Sequence, residues 1–380
     1  MSQQIKVGIT HGDINGVGYE VTLGALADET MTELCTPMIF GHHALAEKCR
    51  RMLGLEDIRL HRVQSAAHAQ HGRVNIVEVA QELPELTPGK ATEASGKSAV
   101  AALEAAVAAL KSGDIDVLVT APISKEAVQG DGFSFAGHTE YLEDRIGDGA
   151  KARMILFDDY VRVALVSTHL PISKVAAAVT PQALDEAIRS LHRSLVRDFA
   201  FDRPRIAVLS LNPHAGDGGL LGTEENDIIA PAVARAVGKG ILAFGPFAAD
   251  GFFGTGAYRK FDGILAMYHD QGLAPFKTLA GERGVNFTAG LPYERTSPDH
   301  GTAFDIAWKG TADPTSMREA IYKAIDIFRR RAAYEEASSN PLKKYITEKP
   351  EKGERQERQQ KPRPTEKGGD GADEPADTEQ

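Results

Sequence analysis

Short apolar runs bounded by glycine or polar residues recur along the chain and alternate with longer amphipathic stretches. Runs of this kind, rich in Val, Ile and Leu, are typical of strands that are buried on both faces of a parallel sheet. They predict strands at residues 5–10, 36–41, 74–79, 115–120, 154–157, 161–167, 206–211 and 264–267. Apolar periodicity predicts helices between them, including 42–52, 98–111 and 316–335, and Thr180 with Pro181 predicts a further helix start. The alternation indicates an α/β fold.

Three of the apolar strands are followed by a histidine: His169, His214 and His269. In α/β folds the carboxyl ends of strands are where sites are built. Any one of these histidines alone is more often a hydrogen-bonded polar residue than a ligand. Three together suit a divalent transition metal, and a three-histidine set with an open position is typical of catalytic centres. The sequence leaves open whether the three meet, and whether they meet within one chain. The adjacent pair His42 and His43 is instead expected at the surface.

The stretch from 261 to 310 concentrates further ligand-type residues. Asp270 follows His269 directly, and Lys277, Asn286 and Arg295 are donors suited to an anionic ligand. A polar, glycine-rich loop is expected at 296–302. The alternative is a polar stretch that only satisfies its own backbone, but the number of ligand-type residues favours a site.

The tripeptide Gly-His-Thr at 137–139 is a second candidate anion site. We expect Thr139 to cap the helix that follows and His138 to lie beside the helix N-terminus, where phosphate or carboxylate binds well. Alone, this tripeptide is unspecific. Asp250, in a glycine-rich loop, is a candidate general base, and Asp270 is a second candidate for proton transfer or metal support.

Two glycine-containing segments do not match nucleotide-binding fingerprints. Residues 12–18 have the spacing G-x-x-x-G-x-G rather than G-x-G-x-x-G, and a tight strand-to-helix turn explains them as well as a binding loop does. Gly96-Lys97-Ser98 resembles the end of a Walker A loop, but Ala91 stands where the first glycine is required and no strand leads in. A nucleoside triphosphate site is therefore not expected there.

The composition is that of an ordinary globular protein, with 42% apolar and 25% charged residues among 380. The formal net charge of -10 argues against a nucleic-acid binder, which needs a basic face. Cys35 and Cys49 are the two cysteines, and neither lies in a CxxC pair, so a disulfide framework or a thiolate zinc site is not expected. The absence of a signal peptide or a bilayer-spanning apolar run predicts a cytoplasmic protein with no membrane partner.

The last part of the chain differs sharply in composition. From residue 347 to residue 380 it consists of Glu, Lys, Arg, Gln, Pro, Gly and other residues no more apolar than alanine. Such a segment cannot bury enough apolar surface to offset the entropy of ordering. We predict a disordered tail at 347–380 with no catalytic role.

Taken in order, the motifs resemble those of the 4-hydroxythreonine-4-phosphate dehydrogenase family of pyridoxal 5′-phosphate biosynthesis. The resemblance runs from about residue 5 to residue 327. The motifs that carry it are GDINGVGYE at 12–20, TAPISKEA at 120–127, GHTEYL at 137–142, STHLPI at 167–172, LNPHAGDGG at 211–219, GPFAADGFF at 245–253, YHDQGLAPFK at 268–277 and NFTAGLPYERTSPDHGTAFDIA at 286–307. Each motif alone is unspecific, whereas their order along the chain is highly specific.

The resemblance implies the fold of isopropylmalate dehydrogenase, with two α/β/α lobes, a central cleft and nicotinamide cofactor binding without a Rossmann fingerprint. The implied lobes are residues 1–135 with 288–340, and residues 136–287, the second carrying the metal histidines and the dimer interface. The ligands of the family's divalent metal (Zn²⁺, Mg²⁺ or Co²⁺) fall on His169, His214 and His269. Its substrate contacts fall on His138, Thr139, Lys277, Asn286 and Arg295. Residues 299–307 resemble an adenosine-binding loop, which implies cofactor contacts at Gly301, Thr302 and Asp305. In the family, both subunits of a homodimer complete the site.

The implied reaction is the NAD(P)-dependent oxidation of 4-phosphooxy-L-threonine to 2-amino-3-oxo-4-phosphooxybutanoate, which decarboxylates to 3-amino-2-oxopropyl phosphate. A divalent metal would lower the pKa of the substrate hydroxyl, and hydride acceptance belongs to the cofactor. Ile14 and Tyr19 stand where the family commonly has proline. These two differences leave the identity of the substrate undecided at the level of the sequence. One alternative is a dehydrogenase of threonate or erythronate 4-phosphate in sugar-acid catabolism. Another is a metal-binding or regulatory protein without turnover.

Overall fold

A single mixed sheet runs through the computed structural model, which describes residues 4–129, 133–135 and 137–341. The tail predicted at 347–380 lies outside the described residues. The strands of the described part are β1 Ile5–Thr10, β2 Cys35–Gly41, β3 Leu60–Val63, β4 Val74–Glu78, β5 Val117–Thr120, β6 Arg153–Phe157, β7 Arg162–Leu165, β8 Arg205–Leu209, β9 Leu242–Phe247, β10 Gly263–Ala266, β11 Val285–Ala289 and β12 Arg295–Pro298.

The strands lie across the sheet in the order β3-β4-β2-β1-β5-β12-β11-β6-β7-β10-β8-β9. Neighbours are parallel within the first six strands of this order and within the last four. The pairs β12–β11, β11–β6 and β6–β7 in the middle are antiparallel. The division into lobes at 1–135 with 288–340 and at 136–287 stays a prediction, since the sheet continues from one part to the other.

Helices pack on both faces of this sheet. They are α1 Gly18–Ala25, α2 Thr30–Leu34, α3 His43–Met52, α4 Glu93–Ser112, α5 Lys125–Val128, α6 His138–Ile146, α7 Ile172–Ala178, α8 Pro181–Arg197, α9 Ala230–Gly238, α10 Ala249–Gly254, α11 His269–Ala280 and α12 Thr315–Ser339. Helices α1, α8 and α12 cover one face, over Val7 and Val208, and α4 and α11 cover the other, over Met38 and Val163. The predicted α/β class is therefore confirmed. Among the described helices, none has the length and apolarity needed to cross a membrane.

Helix α4 shows why the Gly-Lys-Ser segment is not a nucleotide loop. The helix starts at Glu93 because Thr92 caps it: Thr92 Oγ1 accepts a hydrogen bond from the Ser95 backbone at 3.1 Å, and Ser95 Oγ accepts one from the Thr92 backbone at 3.3 Å. Gly96 lies where α4 packs against α5. A Cβ atom at Gly96 would lie 1.8 Å from the carbonyl oxygen of Ala127. This glycine is therefore required by the close approach of two helices.

The surface position expected for His42 is wrong. This residue is 1% exposed, and its Nε2 atom lies 2.9 Å from Ser98 Oγ. His11 is equally buried, stacks on Tyr19 with ring centroids 5.3 Å apart, and places its Nε2 atom 3.3 Å from the same Ser98 hydroxyl. Tyr19 Oη in turn accepts a hydrogen bond from the His42 backbone at 2.7 Å. The Nε2 atom of each buried imidazole has a hydrogen-bonding partner in Ser98, whereas the Nδ1 atoms have none in the described chain. A hydrophobicity pattern does not reveal such long-range contacts.

The polar loop expected at 296–302 is in part a buried strand. Arg295–Pro298 forms β12, and Arg295 pairs with Leu118 of β5 on one side while Thr296 pairs with Phe287 of β11 on the other. The strand lies between two partners, so its backbone groups are satisfied by the sheet despite its polar sequence. Strands β11 and β12 form an antiparallel hairpin that joins the two parallel parts of the sheet.

Candidate active site

The three candidate metal histidines follow three neighbouring parallel strands. Strand β10 lies between β7 and β8 and is parallel to both. His169 follows β7, His214 follows β8, and His269 opens α11 directly after β10. The carboxyl ends of parallel strands meet at one edge of a sheet, so all three histidines belong to the same edge.

Two of these histidines come together in the described chain. The rings of His169 and His269 lie 6.3 Å apart, measured between centroids. His269 Nδ1 lies 2.7 Å from Asp270 Oδ1, and His169 Nδ1 lies 3.5 Å from Glu140 Oε1. A carboxylate beside Nδ1 favours the proton on that nitrogen, which leaves the lone pair on Nε2 as the one that can bind a ligand.

The third histidine lies in an unusual loop. From His214 through Gly219 every residue has a positive φ, between 44° and 105°. The buried carboxylate of Glu225 holds the start of this loop, since its Oε1 atom accepts hydrogen bonds from the backbones of Leu211 and Asn212 at 2.8 and 2.7 Å. His214 itself is exposed. Within the described residues, no three His, Cys, Asp or Glu side chains are close enough to hold one metal ion. The structure thus brings His169 and His269 together and leaves His214 apart from them on the same edge.

A cavity of about 220 Å³, here called the central cavity, lies beside His169. Its walls include four of the five candidate substrate residues: His138, Thr139, Asn286 and Arg295. The fifth, Lys277, reaches the wall indirectly, because its Nζ atom lies 3.0 Å from the carboxylate of Asp299, which lines the cavity. Thr139 is the second residue of α6 rather than its cap, and Gly137 precedes the helix.

Arg295 is the most deeply buried cation of the central cavity, with 2% of its surface exposed. Its Nε atom donates to Thr120 Oγ1 and its Nη1 atom donates to Thr288 Oγ1, both at 3.0 Å. Burial lowers the pKa of Arg295, and the nearby carboxylate of Glu140 opposes this effect. The two threonines fix the plane of the guanidinium and leave it a cation beside the cavity.

His138 stays neutral in this environment. Burial lowers its pKa well below the ordinary value, and the positive charges of Arg295 and Lys125 act in the same direction. A neutral imidazole can accept a hydrogen bond at one nitrogen and donate at the other.

Buried polar atoms without a hydrogen-bond partner in the described chain cluster around this cavity. They are His138 Nε2, Glu140 Oε2, Asn286 Oδ1 and His300 Nε2. An unpaired buried polar group costs roughly 1–3 kcal/mol, so such groups are rare in structures without a functional reason. Four of them around one cavity indicate a polar ligand.

A second cavity, of about 310 Å³ and mainly apolar, adjoins the first and shares Asp299 and His300 with it. Val17, Val21, Ala303 and Ile306 contribute its apolar wall. We call it the apolar cavity. Its walls come from the segment after β12, the start of α1, the end of α11 with the residues that follow it, and the start of α12.

Two buried contacts hold that segment in place. The backbone of Val17 donates to the carbonyl of Thr302 at 3.0 Å. The carboxylate of Glu20 accepts hydrogen bonds from the backbones of Trp308 and Gly310 at 2.6 and 2.7 Å. Of the three cofactor candidates, Gly301 lines the central cavity, while Thr302 packs against Gly16 in the turn before α1 and Asp305 is exposed. The glycine-rich turn at 12–18 therefore contacts this segment and helps to hold it in place.

Comparison with known proteins agrees with this architecture. The model of the family described as pyridoxal phosphate biosynthetic protein PdxA matches residues 33–324. The chain belongs to the PdxA family. A curated relative from Bacteroides thetaiotaomicron, named 4-hydroxythreonine-4-phosphate dehydrogenase, is 53% identical over 346 residues, which are 91% of this chain and 95% of the relative.

Solved structures of the PdxA enzyme superpose on most of the chain. A 4-hydroxythreonine-4-phosphate dehydrogenase from Burkholderia phymatum aligns with a TM-score of 0.70 at 36% identity, over 86% of this chain and 99% of that one. The enzyme of the same name from Klebsiella pneumoniae aligns with a TM-score of 0.71 at 34% identity, over 86% and 100%. The fold predicted from the PdxA resemblance is therefore shared with these enzymes.

Several residues of this PdxA-family site were not singled out from the sequence. Thr120, Lys125, Glu140, Asp299 and His300 all line the central cavity. The rule that sites form at strand ends points to Thr120 and Lys125, since both follow or end β5, but a lysine at a strand end is more often solvated than a ligand. Glu140 had no such signal, because a glutamate in the first turn of a helix is common for its favourable interaction with the helix dipole.

The two candidate acid–base residues differ in position. Asp270 lies at the edge with the histidines and binds His269 Nδ1. Asp250, in α10, is exposed and lines neither cavity of the described chain. In this PdxA-family chain, Asp270 is therefore the one placed to support a histidine.

Proposed function

We propose that this PdxA-family chain oxidises 4-phosphooxy-L-threonine with NAD(P), giving 2-amino-3-oxo-4-phosphooxybutanoate, which decarboxylates to 3-amino-2-oxopropyl phosphate in pyridoxal 5′-phosphate biosynthesis. The observation that carries the proposal is the central cavity, where a buried arginine, a neutral histidine and a carboxylate-bound histidine line one space. The names of the relatives favour this substrate over threonate or erythronate 4-phosphate.

The anionic groups of the substrate fit the cations of the central cavity. Arg295 is held in one orientation by Thr120 and Thr288, so it loses little entropy when it binds a phosphate or carboxylate. Lys125 adds a second positive charge on the same wall. His138, being neutral, offers a donor and an acceptor without a further charge. We infer that His138, Thr139, Asn286, Arg295 and Lys277 are the substrate contacts.

The histidines at the strand ends fit a divalent metal. His169 and His269 each have a carboxylate at Nδ1, which is the arrangement that orients metal-binding imidazoles in proteins. A bound Zn²⁺, Mg²⁺ or Co²⁺ would act as a Lewis acid on the substrate hydroxyl and ketone. His169 and His269 would hold it together with His214. Asp270 would fix His269, and Asp250 stays a candidate for proton transfer.

The apolar cavity suits the nicotinamide cofactor. Apolar walls with a few polar groups are typical of sites for ring-bearing ligands. Its boundary with the central cavity at Asp299 and His300 would bring the cofactor and the substrate side by side. A nicotinamide bound in the apolar cavity would supply hydride acceptance next to the substrate. Gly301, Thr302 and Asp305 stay candidates for cofactor contacts, although none of them lines this cavity.

A homodimer would complete the metal site. Large apolar side chains are exposed next to two of the histidines: Leu170 and Ile172 beside His169, and Leu220 and Leu221 beyond His214. Exposed apolar groups that cluster in this way are typical of protein interfaces. We propose that a second copy of the chain, in the cytoplasm, covers this edge and contributes a histidine to the shared site.

The test is NAD(P)H formation from 4-phosphooxy-L-threonine by enzyme treated with a chelator and then given Zn²⁺, Mg²⁺ or Co²⁺. We expect turnover to return when the metal is added. In Lys125→Met we expect turnover to fall at least about tenfold, because one cation of the central cavity is lost. Glu126→Gln, an exposed neighbour on α5, is the matched control. Turnover with threonate 4-phosphate alone would indicate that the enzyme acts in sugar-acid catabolism. No turnover of either substrate by a metal-loaded dimer would contradict the dehydrogenase proposal.

A further inference from the structure

A third cavity, separate from the two described above, lies along the second half of α8. It encloses about 210 Å³ and shares no lining residue with the central or the apolar cavity. Its floor and one wall come from α8, and the opposite wall comes from Ala150, Lys151 and Gly290. We call it the α8 cleft.

Three arginines line this cleft at a spacing of four residues: Arg189, Arg193 and Arg197. Residues four apart lie on one face of a helix, so the three guanidinium groups form a row along the cleft. Lys151 lies on the other wall, where its Nζ atom is 2.6 Å from the carboxylate of Glu143. The carboxylates on the cleft are those of Glu186 and Asp198.

The charge of Asp198 is already matched by other residues. Asp198 is 1% exposed, and its Oδ1 atom accepts hydrogen bonds from Arg331 at 2.7 Å and from Arg197 at 3.1 Å. Its Oδ2 atom accepts a hydrogen bond from the buried Ser194 hydroxyl at 2.6 Å. This network fixes Arg197 as the inner end of the row and already supplies Asp198 with hydrogen bonds from Arg331, Arg197 and Ser194.

The middle of the row has donors without acceptors. Within the described residues, the guanidinium of Arg193 and the hydroxyl of Ser190 have no hydrogen-bond partner, and Arg189 uses only its Nε atom, which donates to the Asp185 carbonyl at 3.2 Å. Cations near a helix C-terminus are favoured by the helix dipole and usually point into solvent. Here the exposed side chains of Arg189 and Arg193 border an open cleft together with the unpaired hydroxyl of Ser190.

The backbone opposite the arginines is fitted closely. Gly290 has a φ of +89°, and a Cβ at this position would lie 2.3 Å from the carbonyl oxygen of Lys151. The wall therefore admits no side chain at Gly290, because the Lys151 backbone lies directly against it.

We propose that the α8 cleft is a binding site for a phosphate group, carried either by inorganic phosphate or by a small phosphomonoester. The planar fork of arginine matches the oxygens of phosphate, and a row of such forks with one hydroxyl donor provides several charge-assisted hydrogen bonds to one dianion. Lys151, which is paired with Glu143, forms part of the other wall. Glu186 opposes binding through its negative charge.

The test counts phosphate sites by equilibrium dialysis with radiolabelled phosphate and, in a parallel arm, with glycerol 3-phosphate. Wild-type chain is expected to bind at two classes of site, the central cavity and the α8 cleft. In Arg189→Gln/Arg193→Gln, binding at the α8 cleft should weaken at least about tenfold, because charge-assisted hydrogen bonds are lost. Lys125→Met/Lys277→Met should weaken binding at the central cavity and leave binding at the α8 cleft intact. The ligand whose binding is weakened more in Arg189→Gln/Arg193→Gln, inorganic phosphate or glycerol 3-phosphate, identifies the source of the phosphate group.

Two further variants separate binding from a general effect on charge or folding. Arg73→Gln/Arg203→Gln removes two exposed arginines elsewhere and should leave both classes unchanged. Glu186→Gln removes the opposing carboxylate and should tighten binding at the cleft, a gain that misfolding cannot produce. Isotherms of Arg189→Gln/Arg193→Gln that superpose on the wild type in both arms would overturn the proposal and identify the row as a solvated basic face.

Discussion

Glu140 Oε1 lies 3.5 Å from His169 Nδ1, and Glu140 Oε2 is buried without a partner in the described chain. The pair joins the first turn of α6 to the end of β7. His169 thereby has the same kind of carboxylate neighbour that Asp270 supplies to His269. Glu140 is therefore placed to orient one of the two histidines that the structure brings together.

Replacing this carboxylate should weaken metal binding. In Glu140→Gln we expect the affinity for Zn²⁺ or Co²⁺ to fall by roughly 10- to 100-fold, since a group that orients a metal-binding histidine typically contributes that much. Competition with a chromophoric chelator measures the affinity without relying on turnover. Glu126→Gln, which removes an exposed carboxylate on the neighbouring helix α5, should bind metal as the wild type does. Equal affinities in the two variants would exclude the orienting role.

Arg295 should not tolerate replacement by lysine. A lysine keeps the charge but cannot donate in one plane to both Thr120 and Thr288. We expect Arg295→Lys to lower kcat/KM for 4-phosphooxy-L-threonine by about 10- to 100-fold, as estimated from the loss of charge-assisted hydrogen bonds. Steady-state kinetics measures the effect, and circular dichroism checks that the variant folds. Arg203→Lys, at an exposed position, is the control; a fall of the same size there would point to a nonspecific cause.

The buried histidines should make the protein less stable in acid. Burial lowers the pKa of His11 from 6.5 to about 3, and the neighbouring His42 contributes in the same direction. The unfolded chain therefore binds a proton at His11 between pH 6.5 and about 3 that the folded chain does not. Consequently the free energy of unfolding falls as the pH falls through this window, by at most about 1.4 kcal/mol per pH unit for one group.

Urea unfolding at pH 7.5 and at pH 5 measures this dependence. In His11→Gln the difference between the two pH values should shrink, because one of the buried imidazoles no longer takes part. His68→Gln, at an exposed position, should keep the wild-type difference. If both variants retain the full wild-type difference in stability between pH 7.5 and pH 5, the acid sensitivity originates elsewhere in the molecule.

Gly96 should be sensitive to the addition of a single methyl group. The Cβ of Gly96→Ala would collide with the backbone of Ala127, which cannot move without shifting α5. We expect the free energy of unfolding to fall by about 1–3 kcal/mol, the usual cost of overpacking. Gly238→Ala is the matched change, since no atom lies within 4 Å of the added Cβ. It should leave stability unchanged or raise it by up to about 1 kcal/mol, as alanine favours helix.

Most strands and the α/β class could be predicted from apolar runs, because parallel strands are buried on both faces and carry few polar residues. The first strand matches its prediction at both ends, at Ile5 and Thr10. The helix start at Thr180 and Pro181 is also confirmed, since Thr180 Oγ1 accepts a hydrogen bond from the Ala183 backbone at 3.2 Å. Helix capping can be predicted from the sequence because the residues that form the capping hydrogen bond lie close together in the chain.

Strand β12 and the pair His11 and His42 could not be predicted in this way. Arg295 is buried because Thr120, 175 residues away in sequence, accepts its hydrogen bonds. The buried imidazole of His42 has its hydrogen-bonding partner in Ser98, 56 residues away in sequence. Such compensation depends on distant residues, so it leaves no local pattern. For the same reason, the sequence could not show that Glu140 lies beside His169.

The pairing of β5 with β12 also has a consequence for synthesis on the ribosome. Leu118 of β5 pairs with Arg295 of β12, so one neighbour of β5 is made only after β6 through β11. The amino-terminal strands can associate as they emerge, but their outermost member keeps an unpaired edge until β12 leaves the exit tunnel. A nascent chain whose β12 is still inside the tunnel would thus present an open strand edge to chaperones, and one whose β12 has emerged would not.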